Sequence, residues 1–142
     1  MTGVQTCALP IFPYAAPLDG ERRFQLPQPP EVWEGVRDAT QQGSTPPQFI
    51  GEFPGLDILS LVGPGWVRGD DYLNLNVWTP DPAATGLPVM VFIHGGGFTG
   101  GSNSPPVTDG TAFARRGVVL VAINYRLGIE GFLPIEIGRA HV

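Results

Sequence analysis

VMVFIHGGGF, residues 89–98, carries the clearest structural signal in this 142-residue chain. Its first five residues, Val89 to Ile93, are all apolar, and a histidine and three glycines follow at once. The apolar run predicts a buried strand, and the glycines predict a loop whose backbone can take positive φ angles. Because glycine has no side chain, the amide groups of this loop are unshielded. A strand that ends in this way can offer N–H donors to a negative charge that develops during a reaction.

A second apolar run, Val118 to Ile123, follows after a connection with a short helical pattern. We predict a helix over residues 112–116, capped by Thr108 or Asp109 and ended by Gly117. Strand, helix and strand in this order are typical of a βαβ unit, so the sequence predicts an α/β fold with a mostly parallel central sheet. The first strand is apolar on both faces, as expected of a central strand covered by helices on each side.

The part of the chain before these strands has a different character. Residues 12–70 are rich in Pro, Gly and Gln and show no helical periodicity, which predicts a long, loop-rich N-terminal wrap. Residues 72–78 then alternate between apolar and polar side chains. This alternation places Leu73, Leu75 and Val77 on one face and predicts a half-buried strand.

Both ends of the chain look foreign to the segment between them. Residues 5–11 can be encoded by CAG ACG TGT GCT CTT CCG ATC. The reverse complement of that DNA, read in a shifted frame behind the two bases GA, encodes residues 136–141. The DNA also resembles a common sequencing-library adapter. We therefore expect residues 1–11 and 136–142 to be translated adapter rather than native protein.

The composition restricts the function of the remaining segment, residues 12–135. The single cysteine, Cys7, lies outside this segment, so no thiol or disulfide chemistry is predicted. The net charge is -5 and the eight basic residues are all arginines without a cluster, which argues against a nucleic-acid partner. No apolar run is long enough to span a membrane.

Four motifs follow one another along the chain. The first consists of Pro13-Tyr14-Ala15, Gly20, Arg23-Phe24, Trp33-Glu34-Gly35-Val36 and Asp38-Ala39-Thr40, and the second is Asp71-Tyr72-Leu73-Asn74-Leu75-Asn76-Val77-Trp78. The third is His94-Gly95-Gly96-Gly97-Phe98, and the fourth is Asn124-Tyr125-Arg126-Leu127-Gly128 with Gly131-Phe132-Leu133. Together they resemble the N-terminal part of the type-B carboxylesterases, the family that includes the cholinesterases. The resemblance covers nearly all of residues 12–134 and is specific as a set, although each motif alone is weak.

The resemblance implies that residues 12–135 are an incomplete, N-terminal part of an α/β-hydrolase fold. It implies a serine-dependent carboxylic ester hydrolase that acts on a small-molecule ester and needs no cofactor or metal. The amides of Gly96 and Gly97 would form part of an oxyanion hole, and a third amide would come from the residue after the nucleophile.

The resemblance also assigns roles around the glycine loop. His94 would orient the loop without transferring protons, Gly95 would be structural, and Phe98 would lie near the acyl pocket. Arg23 would pair with Asp70 and tie the N-terminal wrap to the sheet.

Two further positions follow from the same resemblance. Arg126 would bind an acid further along the chain. Tyr72 stands where many relatives carry a disulfide cysteine, so that bridge is absent here.

Two other functions fit part of the pattern. The fold also serves non-catalytic binding or adhesion modules, although such a module has no need for unobstructed amides in the glycine loop. Gly95, Gly97 and Gly100 also spell G-x-G-x-x-G after a strand, with Arg126 placed as in an NADP site. That motif needs a helix to begin at the third glycine, and Pro105-Pro106 delays any helix.

The 142 residues contain no G-x-S-x-G nucleophile motif. The stretch from Gly100 to Ser104 comes nearest, but Ser104 stands where a glycine is needed. His94 is the only histidine of the native segment, so no general base is available either. We predict that this chain alone is marginally folded, inactive and left with an unpaired apolar sheet edge.

Overall fold

The computed structural model describes residues 7–35, 41–51 and 54–133. Most of the predicted adapter segments, residues 1–6 and 136–142, lie outside these ranges. The described chain forms one four-stranded sheet with three short α-helices and two 3-10 turns. The strands are β1 (Cys7–Pro13), β2 (Asn74–Thr79), β3 (Val89–Ile93) and β4 (Val119–Ile123). The helices are α1 (Leu59–Val62), α2 (Thr111–Ala114) and α3 (Gly128–Phe132), and the 3-10 turns are Gly20–Arg22 and Pro106–Thr108.

The order of the strands in the sheet is β1-β2-β4-β3. The predicted βαβ unit is present, because β3 and β4 pair in parallel from Val89↔Val119 to Ile93↔Ile123. Strands β1 and β2 are antiparallel, and so are β2 and β4. The described sheet is therefore mixed, and the expectation of a mostly parallel sheet is not met by these four strands. The parallel register places the carboxyl-terminal ends of β3 and β4 side by side.

Strand β3 lies at the edge of the described sheet, and β4 takes the inner position. The prediction that β3 is a covered central strand is wrong for the described residues, because all five of its side chains are 36–64% exposed. An apolar run has the same pattern whether or not its neighbours are present, so the sequence could not distinguish the two positions. The unpaired apolar edge that we expected is observed at β3.

The polar face of β2 is its more buried face. Asn74 and Asn76 are buried, whereas Leu75 and Val77 are half-buried. The sequence pattern indicates the opposite, with the apolar face as the buried one. The side chains of Asn103 and Asn124 explain this, because both donate to Asn74 Oδ1, at 3.0 and 3.1 Å. Buried amides are tolerated when their hydrogen bonds are made, and this network satisfies them.

Helix α2 begins and ends earlier than predicted. It spans Thr111–Ala114, and a turn continues to Gly117, whose φ is +80°. The residue at the N-cap is Gly110, but Asp109 supplies the expected side-chain acceptor through a 2.8 Å bond from the Thr111 amide. The carboxylate thus satisfies one of the amides that a helix start leaves open.

Few helical elements interrupt the long segment between β1 and β2. Its described part is held by backbone bonds from Tyr14, Leu18 and Thr45 to residues 73, 70 and 67, each at 3.0 Å. Ala15, Leu18, Tyr72 and Leu73 form a small buried core beneath it. The segment is irregular in secondary structure, but its backbone is fixed against the start of β2.

The predicted boundary between adapter and native chain falls inside β1. The register of β1 against β2 shifts between Leu9 and Phe12, and Ile11 has a φ of +64°. Positive φ is unfavourable for a β-branched residue, so β1 is irregular at this point. The adapter origin of residues 1–11 stays a prediction.

Candidate active site

The glycine loop leaves the end of β3 in a conformation that L-residues rarely adopt. Gly96, Gly97 and Phe98 have φ angles of +122°, +61° and +64°. A Cβ on Gly96 would lie 2.0 Å from the carbonyl oxygen of Gly100, whereas a Cβ on Gly97 would meet nothing within 4 Å. The first position requires glycine because of both space and backbone angle, and the second requires it because of the angle.

The hydrogen bonds of this loop use its carbonyl groups. Gly96 O accepts from the amides of Thr99 and Gly100, both at 3.2 Å, and Phe98 O accepts from the Gly128 amide at 2.7 Å. Within the described ranges, neither the Gly96 amide nor the Gly97 amide donates a hydrogen bond to the protein. Two adjacent N–H groups are therefore available to an acceptor from outside, which is what the oxyanion prediction requires.

His94 packs into the base of the loop. Its ring stacks on Tyr125 with centroids 4.3 Å apart, and the Tyr125 hydroxyl donates to His94 O at 2.9 Å. His94 Nδ1 donates to Gly95 O at 2.8 Å, which ties the imidazole ring to the first residue of the glycine loop. The orienting role of His94 stays a prediction. Burial lowers the pKa of His94, which keeps the imidazole neutral at pH 7.

A cleft of about 380 Å³ lies beside the loop. Phe98 borders it, and its ring contacts Phe132 with centroids 4.5 Å apart. The lining is mainly apolar and consists of Ile93, His94, Gly95, Gly97, Phe98, Tyr125 and Phe132. An apolar cleft next to free amides can accept the acyl part of a small molecule. The place of Phe98 near an acyl pocket stays a prediction.

Gln48 holds the far end of the loop, a contact that sequence reasoning missed. Its Oε1 accepts from the Gly101 amide at 2.8 Å, and its Nε2 donates to Gly101 O at 2.9 Å. The two residues are 53 positions apart, and no local pattern in the sequence marks a glutamine in a loop as a partner.

The predicted pair of Arg23 and Asp70 is wrong. Arg23 Nε instead lies 2.5 Å from Glu130 Oε1, and Glu130 is buried. Asp70 contributes its backbone carbonyl, which accepts from the Leu18 amide. Tyr72 donates its hydroxyl to the second oxygen of Glu130, so the acid that ties the N-terminal segment to the rest comes from α3.

Arg126 lies close enough to Tyr14 and Tyr72 for its positive charge to act on both hydroxyl groups. Its Nη2 is buried and has no hydrogen-bond partner among the described residues. Burial raises the pKa of Tyr14 to about 12, and the Arg126 charge opposes that rise. An acid partner for Arg126 further along the chain stays a prediction.

The dinucleotide-binding alternative does not fit the backbone. No helix begins at Gly100, and the next helical turn starts only at Pro106. The pyrophosphate of a dinucleotide would therefore meet no helix N-terminus at the third glycine.

Among residues 7–35, 41–51 and 54–133, no three His, Cys, Asp or Glu side chains lie close enough together to hold a metal ion. None of the helices described is long and apolar enough to cross a membrane.

Comparison with solved structures places this fold in a class. The chain superimposes on the crystal structure of the Geobacillus stearothermophilus carboxylesterase EST55 with a TM-score of 0.77 and 40% identity. The match covers 95% of this chain and 26% of that enzyme. The described sheet and its glycine loop are therefore part of an α/β-hydrolase fold.

Comparison with known sequences gives the family. The carboxylesterase family matches residues 11–141. Para-nitrobenzyl esterase of Bacillus subtilis (strain 168) is 50% identical over 127 residues, which are 88% of this chain and 25% of the relative. A cholinesterase of Mus musculus is 43% identical over 133 residues, 92% of this chain and 22% of the relative. The chain belongs to the carboxylesterase family, and it spans about a quarter of the length of these relatives.

Proposed function

We propose that the protein to which this chain belongs is a serine-dependent carboxylic ester hydrolase, with the amides of Gly96 and Gly97 in its oxyanion hole. The observation that carries this proposal is that both amides lack a protein acceptor among the described residues and lie beside an apolar cleft. A non-catalytic binding module would have no need to keep these amides free, since unpaired N–H groups are costly once water is excluded.

The chemistry that this site would perform is acyl transfer. A serine attacks the ester carbon, and the carbonyl oxygen becomes negatively charged in the tetrahedral intermediate. Fixed N–H donors about 3 Å from that oxygen stabilise it, and each contributes about 3–4 kcal/mol. A third donor would come from the residue that follows the nucleophile.

Ser102 is not suited to be that nucleophile. Ser102 comes nearest to a nucleophile motif, but it is 1% exposed, and its Oγ accepts from the Ser104 amide at 3.3 Å. A catalytic serine must be reachable from the cleft, so the nucleophile and its base are proposed to belong to the rest of the protein.

The substrate class follows from the cleft and the family. Its apolar lining suits an uncharged acyl group, and Phe98 and Phe132 would contact that group. Relatives of this chain are named as para-nitrobenzyl esterase and, in Sphingopyxis macrogoltabida, fumonisin B1 esterase, the latter 42% identical over 123 residues, 86% of this chain and 22% of the relative. We propose a small-molecule carboxylic ester as substrate.

Hydrolysis of p-nitrophenyl acetate tests the proposal. The full-length protein that contains this chain should release p-nitrophenol, and an organophosphate should abolish the release by modifying the nucleophilic serine. The 142-residue chain alone should show no turnover above buffer. A full-length protein without organophosphate-sensitive turnover would refute the assignment.

A further inference from the structure

Glu130 joins three segments that are distant in sequence. Its side chain is 6% exposed, and its carboxylate accepts from Arg23 Nε at 2.5 Å and from the Tyr72 hydroxyl. Arg23 follows the first 3-10 turn, Tyr72 precedes β2, and Glu130 lies in the middle of α3. Burial raises the pKa of Tyr72, and its hydrogen bond to Glu130 adds to the rise, so Tyr72 remains a hydrogen-bond donor at neutral pH.

Helix α3 contacts the glycine loop at two points on either side of Glu130. The Gly128 amide donates to Phe98 O at 2.7 Å, and the Phe132 ring packs on the Phe98 ring. Phe98 has a φ of +64°, which costs a non-glycine residue energy and must be enforced by its surroundings. The hydrogen bond from the Gly128 amide and the contact with the Phe132 ring hold Phe98 in this conformation.

Helix α3 spans only five residues, Gly128–Phe132, and follows directly on Leu127. A Cβ on Gly131 would lie 2.7 Å from Arg126 O and 2.9 Å from Arg126 Cβ, so this single turn is closely packed on the residues just before it. A displacement of Glu130 would therefore move Gly128 and Phe132 with it, and the support of Phe98 would move too.

From these contacts we infer that Glu130 is a positioning residue for the oxyanion hole. Its carboxylate holds α3 between Arg23 and Tyr72, α3 holds Phe98, and Phe98 fixes the direction of the adjacent Gly97 and Gly96 amides. The inference rests on the proposed esterase function and extends it to a residue that does not touch the substrate. A misplacement of a catalytic group by about 1 Å can cost about 100-fold in rate, even when the mutation lies far from the chemistry, so distant support of the donors matters.

The test compares variants of the full-length enzyme. Glu130→Gln keeps the size of the side chain and removes its charge, and Tyr72→Phe removes one of its two donors. Asp19→Asn is the matched control, because it removes a carboxylate from an exposed pair with Arg22 at 2.9 Å, far in sequence from the glycine loop. Each kcat is measured per active site titrated with an organophosphate, so that loss of folded enzyme does not count as loss of rate.

The expected result is a change in kcat with little change in KM. In Glu130→Gln, kcat should fall about 10- to 100-fold, the range of a misplaced catalytic group. The inhibition constant of a trifluoromethyl ketone, which forms an oxyanion on the enzyme, should rise in proportion, because only transition-state binding is affected. Tyr72→Phe should show a smaller change in the same direction, and amide hydrogen exchange over residues 94–101 should accelerate in both variants.

Several outcomes would overturn the inference. One is a kcat per active site in both variants that equals that of Asp19→Asn. Another is a loss of titratable sites without a loss of rate per site, which would show a structural role only. If Glu130→Gln yields no titratable enzyme, Tyr72→Phe decides: a lower kcat with KM retained supports the inference, and a wild-type kcat overturns it. A wild-type enzyme without ester hydrolysis would refute the proposed function instead, while hydrogen exchange would still report on the loop.

Discussion

Among the glycines that the structure describes, Gly96 leaves the least room for a Cβ. Its φ is +122°, and a Cβ would lie 2.0 Å from Gly100 O. We expect Gly96→Ala to displace the loop and to lower kcat/KM of the proposed full-length esterase by about 100-fold or more, the loss typical of one oxyanion donor. Gly51→Ala is the control, because a Cβ there meets nothing within 4 Å and its φ is not positive. Equal kinetics for the two variants would show that the loop geometry is not needed for the reaction.

His94 provides a prediction about pH. Burial lowers its pKa in the folded protein, so the unfolded chain binds a proton more readily. The free energy of unfolding should therefore decrease as pH falls below about 6.5, the ordinary histidine pKa, toward the lower folded value. His94→Phe keeps a ring against Tyr125 but cannot be protonated, so its free energy of unfolding should decrease less between pH 7.5 and 5.5. Urea unfolding of the wild-type protein and of His94→Phe at these two pH values checks the prediction, which fails if the free energy of unfolding changes equally in both.

Single residues also show how far sequence reasoning reaches. The positive φ angles of Gly96 and Gly97 could be expected, because a glycine triplet after a strand is a local signal. The partner of Arg23 could not, because Glu130 lies 107 positions away and only the folding of α3 brings it there. Which acid pairs with Arg23 depends on which loops meet in the fold. Asp70 and Glu130 have similar chemistry, so the sequence alone does not distinguish them as partners.

Strand β3 leads to a prediction about association. Its five apolar side chains are exposed along an unpaired edge, which is a template for pairing with another chain. We expect Val91→Lys to reduce aggregation of the isolated 142-residue chain, as measured by light scattering. Val32→Lys is the control, because Val32 is 96% exposed but lies outside the sheet. An equal effect of both substitutions would mean that added charge, and not the strand edge, controls association.

The elements were predictable where the signal is local. The βαβ unit of β3, α2 and β4 follows from two apolar runs with a helical pattern between them, and the structure contains it. The buried face of β2 did not follow, because asparagines are ordinarily exposed and their burial depends on Asn103 and Asn124 from other segments.

Across the whole chain, the fold class could be predicted but the sheet topology could not. The antiparallel pairing of β1 with β2, and of β2 with β4, leaves no local mark in the sequence. The order of the motifs gave the family, and the match of residues 11–141 confirms it. The chain covers about a quarter of its relatives, so the completed acyl pocket and the nucleophile remain proposals about the whole protein.

A crystal structure can show whether the Gly96 and Gly97 amides hold the oxyanion, as proposed. The full-length enzyme would be crystallised with a trifluoromethyl ketone bound to its serine, so that a stable oxyanion occupies the site. We expect both amide nitrogens to lie about 3 Å from that oxygen, with Phe98 O still bonded to the Gly128 amide. An oxyanion held by other groups, with these two amides bonded to protein carbonyls, would contradict it.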